Sequence, residues 1–230
     1  MEMVPLSAVK LAGIIDKLEV LYGKQKRPVT SPFDIILYEN ASYLVDDARR
    51  LEVFRRLRDE IGTDPDRLLE HPQKEIETVI ADGGMLPALR AAKVIKAARL
   101  AAKIGLKEIE HAMRSDLKRA KRLLRQFPGV GEPLADKILL FSGAQISLAP
   151  DSNALRVLTR LGFGLEDKNY AKSYRSAIDA TKDEFRTPAE AQRAHALLRR
   201  HGQELCKRSA PLCELCPVRK FCDFYRLHAA

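Results

Sequence analysis

The stretch H-G-Q-E-L-C-K-R-S-A-P-L-C-E-L-C-P-V-R-K-F-C, residues 201–222, carries all four cysteines of the 230-residue chain. The cysteines are spaced C-x6-C-x2-C-x5-C, which is close enough for all four to bind one metal centre. They are Cys206, Cys213, Cys216 and Cys222. Four thiolates complete either a tetrahedral zinc site or a cubane iron–sulfur cluster. Structural zinc usually uses two tight pairs of ligands. Only one pair is tight here, so the spacing favours iron–sulfur and leaves zinc as the alternative.

Composition and charge indicate an ordered protein with a polyanionic partner. Apolar residues make up 46% of the chain, and 40 basic residues against 31 acidic ones give a net charge of +9. This excess favours nucleic acid over a membrane, although a basic protein without such a partner has the same charge. Residues 1–20 predict an amphipathic helix rather than a signal peptide, so an intracellular location, cytoplasm or nucleoid, is expected. In a reducing compartment, clustered cysteines indicate metal binding rather than disulfides.

Helical periodicity runs through almost the whole chain and predicts an all-α fold of about ten helices. In residues 51–57, the apolar side chains of Leu51, Phe54 and Leu57 share one face, with charged side chains opposite. Similar patterns recur at residues 88–103, 117–126, 134–142, 153–161, 170–182 and 188–206. Strand-like alternation is scarce, and the breaks between patterns are short and contain Gly or Pro.

The segment L-L-R-Q-F-P-G-V-G-E-P-L-A, residues 123–135, predicts two helices joined by a tight turn. Glycine tolerates a positive φ, so Gly129 and Gly131 on either side of Val130 are expected to let backbone N–H groups approach a phosphate. The positive end of the following helix favours the same anion. Basic residues just upstream add positive charge: Lys118, Arg119, Lys121, Arg122 and Arg125.

The cysteine run and this hairpin resemble the cluster loop and the helix-hairpin-helix motif of the endonuclease III and adenine glycosylase family. The resemblance spans residues 28–224. It implies a helix-hairpin-helix DNA glycosylase fold with two helical lobes: a six-helix barrel at 27–143, and a cluster domain joining 1–26 to 144–230. It further implies a 4Fe–4S cluster on the four cysteines, with Arg219 and Lys220 against a DNA phosphate. A solvated charged loop is the alternative for these two residues.

The family resemblance also points to a catalytic carboxylate in L-A-P-D-S-N-A-L-R-V, residues 148–157. Asp151 follows Pro150 and precedes a predicted helix, so taken alone it is an N-cap. Its place after the hairpin helix, with Arg156 behind it, resembles the segment that bears the family's catalytic aspartate. A carboxylate suits glycosidic cleavage because positive charge develops on the sugar.

The lysine of the bifunctional members is missing from this chain. They place a nucleophilic lysine two residues after the second hairpin glycine, where this chain has Pro133. Proline forms no Schiff base, but it suits the first turn of a helix. Lys137 lies one turn further on the same face and is the candidate substitute, with a salt-bridged or DNA-facing lysine as the alternative. A monofunctional glycosylase is therefore predicted.

A second candidate carboxylate lies in S-P-F-D-I-I-L-Y-E-N-A-S-Y-L-V, residues 31–45. Ser31 and Pro32 predict an N-cap and the first turn of a helix. Glu39 follows an apolar run and falls where adenine glycosylases carry the glutamate that protonates the departing base. Burial without partners would raise its pKa and suit it to donate a proton. An ordinary solvent-facing glutamate is the alternative.

Two loops are expected to wedge into DNA when a base leaves the stack. The family usually has a glutamine-containing stretch after the helix of Glu39, where this chain has Tyr43, suited to stacking, and Leu44, suited to wedging. By the same resemblance, the second wedge comes from Met85 and Leu86, although core packing suits either side chain. The departure in the first loop leaves the identity of the base open.

Together these residues predict an enzyme of base excision repair. It is expected to act as a monomer on double-stranded DNA, to flip out a damaged or mismatched base and to cleave its N-glycosidic bond, leaving an abasic site. Asp151 and Glu39 are the predicted catalytic residues. The alternatives are a glycosylase–lyase that uses Lys137, a non-catalytic protein that binds damaged DNA, and a zinc protein of unrelated function.

Overall fold

The structure, a computed structural model, describes residues 10–25 and 29–228 of the chain. Within those residues the chain folds into helices joined by short turns, and the only strand-like pairing there is an isolated bridge between Tyr43 and Gly84. The predicted all-α fold class is therefore confirmed. None of the described helices is both long enough and apolar enough to cross a membrane.

Thirteen α-helices lie in the described part of the chain. They are α1 (Leu11–Tyr22), α2 (Pro32–Asn40), α3 (Asp47–Arg56), α4 (Pro65–Glu70), α5 (Gln73–Val79), α6 (Pro87–Ile104), α7 (Leu106–Ser115), α8 (Leu117–Leu124), α9 (Glu132–Phe141), α10 (Ser152–Arg160), α11 (Tyr170–Thr181), α12 (Pro188–Glu204) and α13 (Asp223–His228). A π-helical turn follows α3 at Leu57–Ile61, and 3-10 turns lie at Ala81–Gly83, Cys213–Leu215 and Arg219–Phe221. About ten helices were expected because α4, α5 and α13 are too short to show a helical period.

Capping residues and prolines set where the helices begin. Proline occupies the first turn of α2, α4, α6, α9 and α12, where its missing N–H costs no hydrogen bond. Asp46, Asp116 and Asp151 cap α3, α8 and α10 with their side-chain oxygens. Ser31 precedes α2 as predicted, but its side chain makes no capping hydrogen bond. The predicted N-terminal helix begins at Leu11, and residues 1–9 of that prediction lie outside the described residues.

The chain divides into two compact units. One combines Met1–Lys26 with Gln145–Ala230, and is called here the terminal unit; the other, Arg27–Ala144, is the central unit. The boundary expected at residues 26–27 falls outside the described part of the chain.

In the terminal unit, α12 packs against both α1 and α10. The core contains buried apolar side chains from these three helices, among them Leu11, Ile14, Ile15, Leu18, Leu155, Leu158, Leu197 and Leu198. Gly202 lets α12 approach α10 closely, because a Cβ there would lie 2.6 Å from the backbone oxygen of Asn153. This approach brings the end of α12 next to the start of α10, where Asp151 lies.

In the central unit, α6 packs against α2, α4, α5 and α7. Its buried face consists of small and branched apolar side chains, namely Ala91, Val94, Ile95, Ala97, Ala98 and Ala101. One charged side chain, that of Arg90, is buried on the same helix, directly after the loop that was expected to wedge into DNA.

Candidate functional site

The hairpin between α8 and α9 turns at Pro128–Gly131. Gly129 has a φ of +76°, and a Cβ there would lie 2.9 Å from Oδ1 of Asn40, so glycine is required on both counts. Asn40 is buried, and its Nδ2 donates to the carbonyl oxygens of Pro128 at 2.9 Å and of Ile36 at 3.0 Å. The tight turn thus depends on an asparagine from α2. Gly131 has extended backbone angles, so of the two glycines only Gly129 has a positive φ.

The turn presents backbone rather than side chains. The Val130 side chain is buried, and its N–H donates to the carbonyl oxygen of Phe127 at 3.1 Å. Gly131 is the N-cap of α9, and no side chain caps that end of the helix. The first N–H groups of α9, at its positive end, are therefore available to an anion.

The positive charge upstream of the hairpin is smaller than the sequence suggested. Lys121 pairs with Asp136 at 2.8 Å and with Glu132 at 3.4 Å, and Arg119 pairs with Glu108 at 2.7 Å. Two of the five basic side chains are thus bound to carboxylates within the central unit.

Two predicted site residues, Glu39 and Lys137, meet in an ion pair beside the hairpin helix. Pro133 is the second residue of α9, and Lys137 lies one turn later, with its Nζ 2.7 Å from Oε1 of Glu39. The other carboxylate oxygen accepts from Nη1 of Arg50 at 2.8 Å. All three side chains are largely buried, at 15–23% exposure. Glu39, which was considered as a buried carboxylate without partners, therefore lies between two cations. Lys137 is salt-bridged, which is the alternative that the sequence left open for it.

Asp151 caps α10 and is held on both oxygens. Its Oδ1 accepts from the N–H groups of Asn153 at 3.0 Å and of Ala154 at 2.9 Å. Its Oδ2 accepts from Nε of Arg199 on α12 at 2.7 Å. Burial raises the pKa of Tyr170, and the nearby negative charge of Asp151 raises it further. Asp151 is thus a helix cap, as its local sequence indicates, and also a fixed carboxylate with a side-chain exposure of 28%.

The four cysteines line one open cavity in the terminal unit, together with the apolar side chains of Val157, Leu161, Leu205 and Leu212. All four are thiols rather than disulfides. Among the described residues, no three His, Cys, Asp or Glu side chains converge closely enough to hold a single metal ion. The cavity therefore brings all four thiols to one place in the terminal unit.

Hydrogen-bonding side chains surround these sulfurs. Nη1 of Arg160 lies 3.4 Å from the Sγ of Cys206, and Nε2 of His201 lies 3.4 Å from the Sγ of Cys216. The other ring nitrogen of His201 contacts the hydroxyl of Tyr22 at 3.0 Å. Burial raises the pKa of Cys216 to about 11 and lowers that of His201 to about 4. A metal centre would therefore displace a proton from Cys216, which lies beside a neutral imidazole.

Two arginines of α10 donate hydrogen bonds to the start of the loop that carries the cysteines, residues 205–222, called here the cysteine loop. Arg156, predicted from the family segment, donates to the carbonyl oxygens of Cys206 at 2.9 Å and of Gly202 at 2.7 Å. Arg160 donates to the carbonyl oxygen of Lys207 at 2.8 Å. The helix that Asp151 caps is thus hydrogen-bonded to the cysteine loop.

The two basic residues of that loop differ in their surroundings. Arg219 forms an ion pair with Glu214 and also donates to its carbonyl oxygen at 2.9 Å. Its guanidinium lies 5.8 Å from the ring centre of Tyr225. Lys220 is exposed. Of the pair, Lys220 is the more exposed.

The two expected wedge loops lie side by side in the central unit. The N–H of Tyr43 donates to the carbonyl oxygen of Gly83 at 2.7 Å. The four candidate side chains are all exposed, at 51–70%: Tyr43, Leu44, Met85 and Leu86. Leu44 and Leu86 both have left-handed backbone angles, with φ of +57° and +56°, which cost about 1–2 kcal/mol each for a residue with a Cβ. Strain of this kind collects at functional sites.

Arg90 holds the two loops together, and sequence reasoning missed it. It lies on one helical face with Val94, Ala97 and Ala101, so a cation on an apolar stripe was the available signal. The residues that hold the two carboxylates, Arg50 and Arg199, were also missed, and nothing in their local sequence marks them.

The comparisons with known proteins agree with this geometry. Endonuclease III of Sulfolobus acidocaldarius is 26% identical over 204 residues, which cover 88% of this chain and 85% of the relative. Endonuclease III of Rickettsia conorii is 24% identical over 70% of each protein. No family model matches the sequence.

Solved structures show the same fold. An endonuclease III trapped as a covalent intermediate with DNA has a TM-score of 0.73 at 19% identity, over 99% of this chain and 100% of that one. A thermostable thymine-DNA glycosylase has a TM-score of 0.73 at 17% identity, over 94% and 95% of the two chains. The chain is therefore similar in sequence, along most of its length, and in fold to endonuclease III-like helix-hairpin-helix DNA glycosylases.

Proposed function

We propose that this protein is a monofunctional DNA N-glycosylase that removes a damaged or mismatched base and leaves an abasic site in an unbroken strand. The proposal rests on the two positions, 133 and 137, where a lysine could act as the nucleophile of a lyase. Pro133 has no amine, and Lys137 is bound to Glu39 at 2.7 Å. The amine of Lys137 is thus held in an ion pair at low exposure and is not free to attack the sugar.

DNA binding would start at the hairpin. The N–H groups of Gly129 and Gly131 and the uncapped start of α9 supply donors and a positive helix end for one phosphate. Lys220, in the cysteine loop, supplies an exposed cation for another. Both are contacts to the backbone, which position a duplex without reading its sequence. Two endonuclease III structures of similar fold are complexes with DNA, which supports DNA as the partner.

The cleavage step would use Asp151. Two N–H groups and Arg199 hold its carboxylate in place. A fixed negative charge stabilises the cation that develops on the sugar as the base departs. Glu39 is better suited to orient the attacking water than to protonate the base, because its two carboxylate oxygens already accept from Arg50 and Lys137.

A 4Fe–4S cluster fits the cysteine cavity better than zinc does. Structural zinc usually uses two tight pairs of ligands, and this loop has only one, Cys213 with Cys216. All four cysteines line one cavity, and four thiolates are the usual ligands of a cubane. The cluster would be held by the four cysteines and would supply order to the loop that carries Lys220. None of the four thiolates takes part in base removal.

The test is a panel of duplexes, each with one lesion or mispair, incubated with the purified protein. The panel includes adenine in a mispair, uracil and thymine opposite guanine, and alkylated and deaminated purines, with an undamaged duplex as the control. Each reaction is analysed with and without alkali. We expect strand breaks at one or more lesions only after alkali. Breaks without alkali would identify a lyase, and binding without base release would identify a non-catalytic damage-binding protein.

A further inference from the structure

Arg90 is a buried cation that the steps above do not use. Its side chain is 3% exposed, and no carboxylate in the described part of the chain forms an ion pair with it. All five of its N–H groups donate to backbone carbonyl oxygens instead. The acceptors, at 2.5–3.1 Å, are Ala41, Ile80, Ala81, Gly84 and Met85.

These five carbonyls belong to two different loops. Ala41 lies in the loop after α2, directly before the candidate wedge residues Tyr43 and Leu44. The other four acceptors lie in the loop before α6, which ends in Met85 and Leu86. One guanidinium therefore fixes the base of both loops, and the planar fork of arginine sets their separation.

Glycines make this close arrangement possible. A Cβ at Gly83 would overlap the carbonyl oxygen of Ala41 and Nη1 of Arg90. A Cβ at Gly84 would overlap the carbonyl oxygen of Tyr43. The two loops are thus in backbone contact at Gly83 and Gly84, where there is no room for a side chain.

We propose that Arg90 is a positioning residue that presents Leu44 and Leu86 as one paired wedge, so that the two side chains enter DNA together. The proposal rests on the proposed function and deepens it. We assign the wedge to the leucines rather than to Tyr43 and Met85. Of these four residues, only the leucines have left-handed backbone angles, and they lie in the loops that Arg90 holds. Both leucines are more than half exposed, at 70% and 56%.

A clamped pair explains how strained loops stay ordered before DNA arrives. A flexible wedge would lose conformational entropy on insertion, and this loss would oppose base flipping. Hydrogen bonds from a single rigid group lock both backbones in advance. Lysine at this position would retain the charge but has three donors around one nitrogen, too few for five carbonyls.

The first experiment compares Arg90→Lys with a matched control, Arg56→Lys. Arg56 is also beside these loops, where it pairs with Asp82 at 2.9 Å, but it contacts no wedge backbone. Base flipping is followed by the fluorescence of 2-aminopurine next to a lesion that the wild-type protein processes. We expect Arg90→Lys to slow flipping about 10- to 100-fold, with affinity for undamaged duplex near wild type. Its melting temperature should fall, because buried carbonyl oxygens lose their donors. Arg56→Lys should flip at the wild-type rate. A folded Arg90→Lys variant that also flips at the wild-type rate would overturn the proposal.

The second experiment does not require Arg90→Lys to fold. Leu44→Ala, Leu86→Ala and the double variant are compared in the same flipping assay. Residues that act as a unit are non-additive, so the double variant should lose no more than the worse single variant. Losses that multiply would show two independent wedges and would overturn the pairing. A wild-type protein that binds lesions and flips them, but releases no base, would refute the proposed function and leave this inference standing.

Discussion

Asp151 caps α10 and is also the proposed catalytic carboxylate, and two substitutions separate these roles. Asp151→Asn keeps an acceptor oxygen for the N–H groups of Asn153 and Ala154, and asparagine caps a helix about as well as aspartate. It loses the charge and the ion pair with Arg199. Asp151→Ala loses the cap as well, at a cost of about 1 kcal/mol. That cost should lower the melting temperature by about 2–4 °C for a chain of this size.

Base release should fall in both variants. Loss of a positioned catalytic group lowers a rate by about 10²- to 10⁴-fold, so single-turnover release on the best duplex of the panel is the assay. Melting by circular dichroism, run in parallel, should show a lower temperature chiefly for Asp151→Ala. Asp116→Asn is the matched control, because Asp116 caps α8 through the N–H of Arg119 and has no proposed role in cleavage. Full base release by Asp151→Asn would mean that Asp151 is only a helix cap.

Three further predictions concern the hairpin, its lysine and the cysteine cavity. Borohydride should trap no covalent adduct between the wild-type protein and abasic DNA, and an adduct that disappears in Lys137→Met would show that Lys137 is a lyase nucleophile. Gly129→Ala should weaken binding to undamaged duplex, measured by fluorescence anisotropy, because a positive φ costs about 1–2 kcal/mol once a Cβ is present and the new methyl group meets Asn40; an unchanged dissociation constant would remove the turn from phosphate binding. Cys216→Ser should lose iron and the brown colour of the purified protein, and a colourless wild-type protein containing zinc would show that the iron–sulfur assignment is wrong.

The helices were predictable because each long one repeats apolar residues at a helical period. The pattern at residues 88–103 corresponds to α6 at Pro87–Ile104, and the pattern at 170–182 corresponds to α11 at Tyr170–Thr181. In such segments the apolar residues at a helical period are the ones that become buried, so the sequence alone predicts both the helix and its buried face. The turn at Gly129 was predictable for a similar reason, since a positive φ there selects glycine.

The partners of the site residues were not predictable, because tertiary packing chooses them. Lys137 is 98 residues from Glu39 in sequence, and Arg199 is 48 residues from Asp151. No local pattern links such pairs, and Glu39 was therefore expected without partners. Arg90 is the intermediate case: its position on an apolar stripe signals a buried cation, but only the fold shows that its partners are carbonyl oxygens rather than a carboxylate.

The terminal unit combines the two ends of the sequence, and this has a consequence for synthesis on the ribosome. The central unit, Arg27–Ala144, is one continuous segment and can fold as soon as it emerges. Helix α1 is made first, but its ion pairs from Asp16 and Glu19 go to Arg193, up to 177 residues later. At about 5–20 residues per second, that gap corresponds to about 10–35 s. During this interval the apolar face of α1 has no α12 to cover it, so this face stays exposed until α12 has been made.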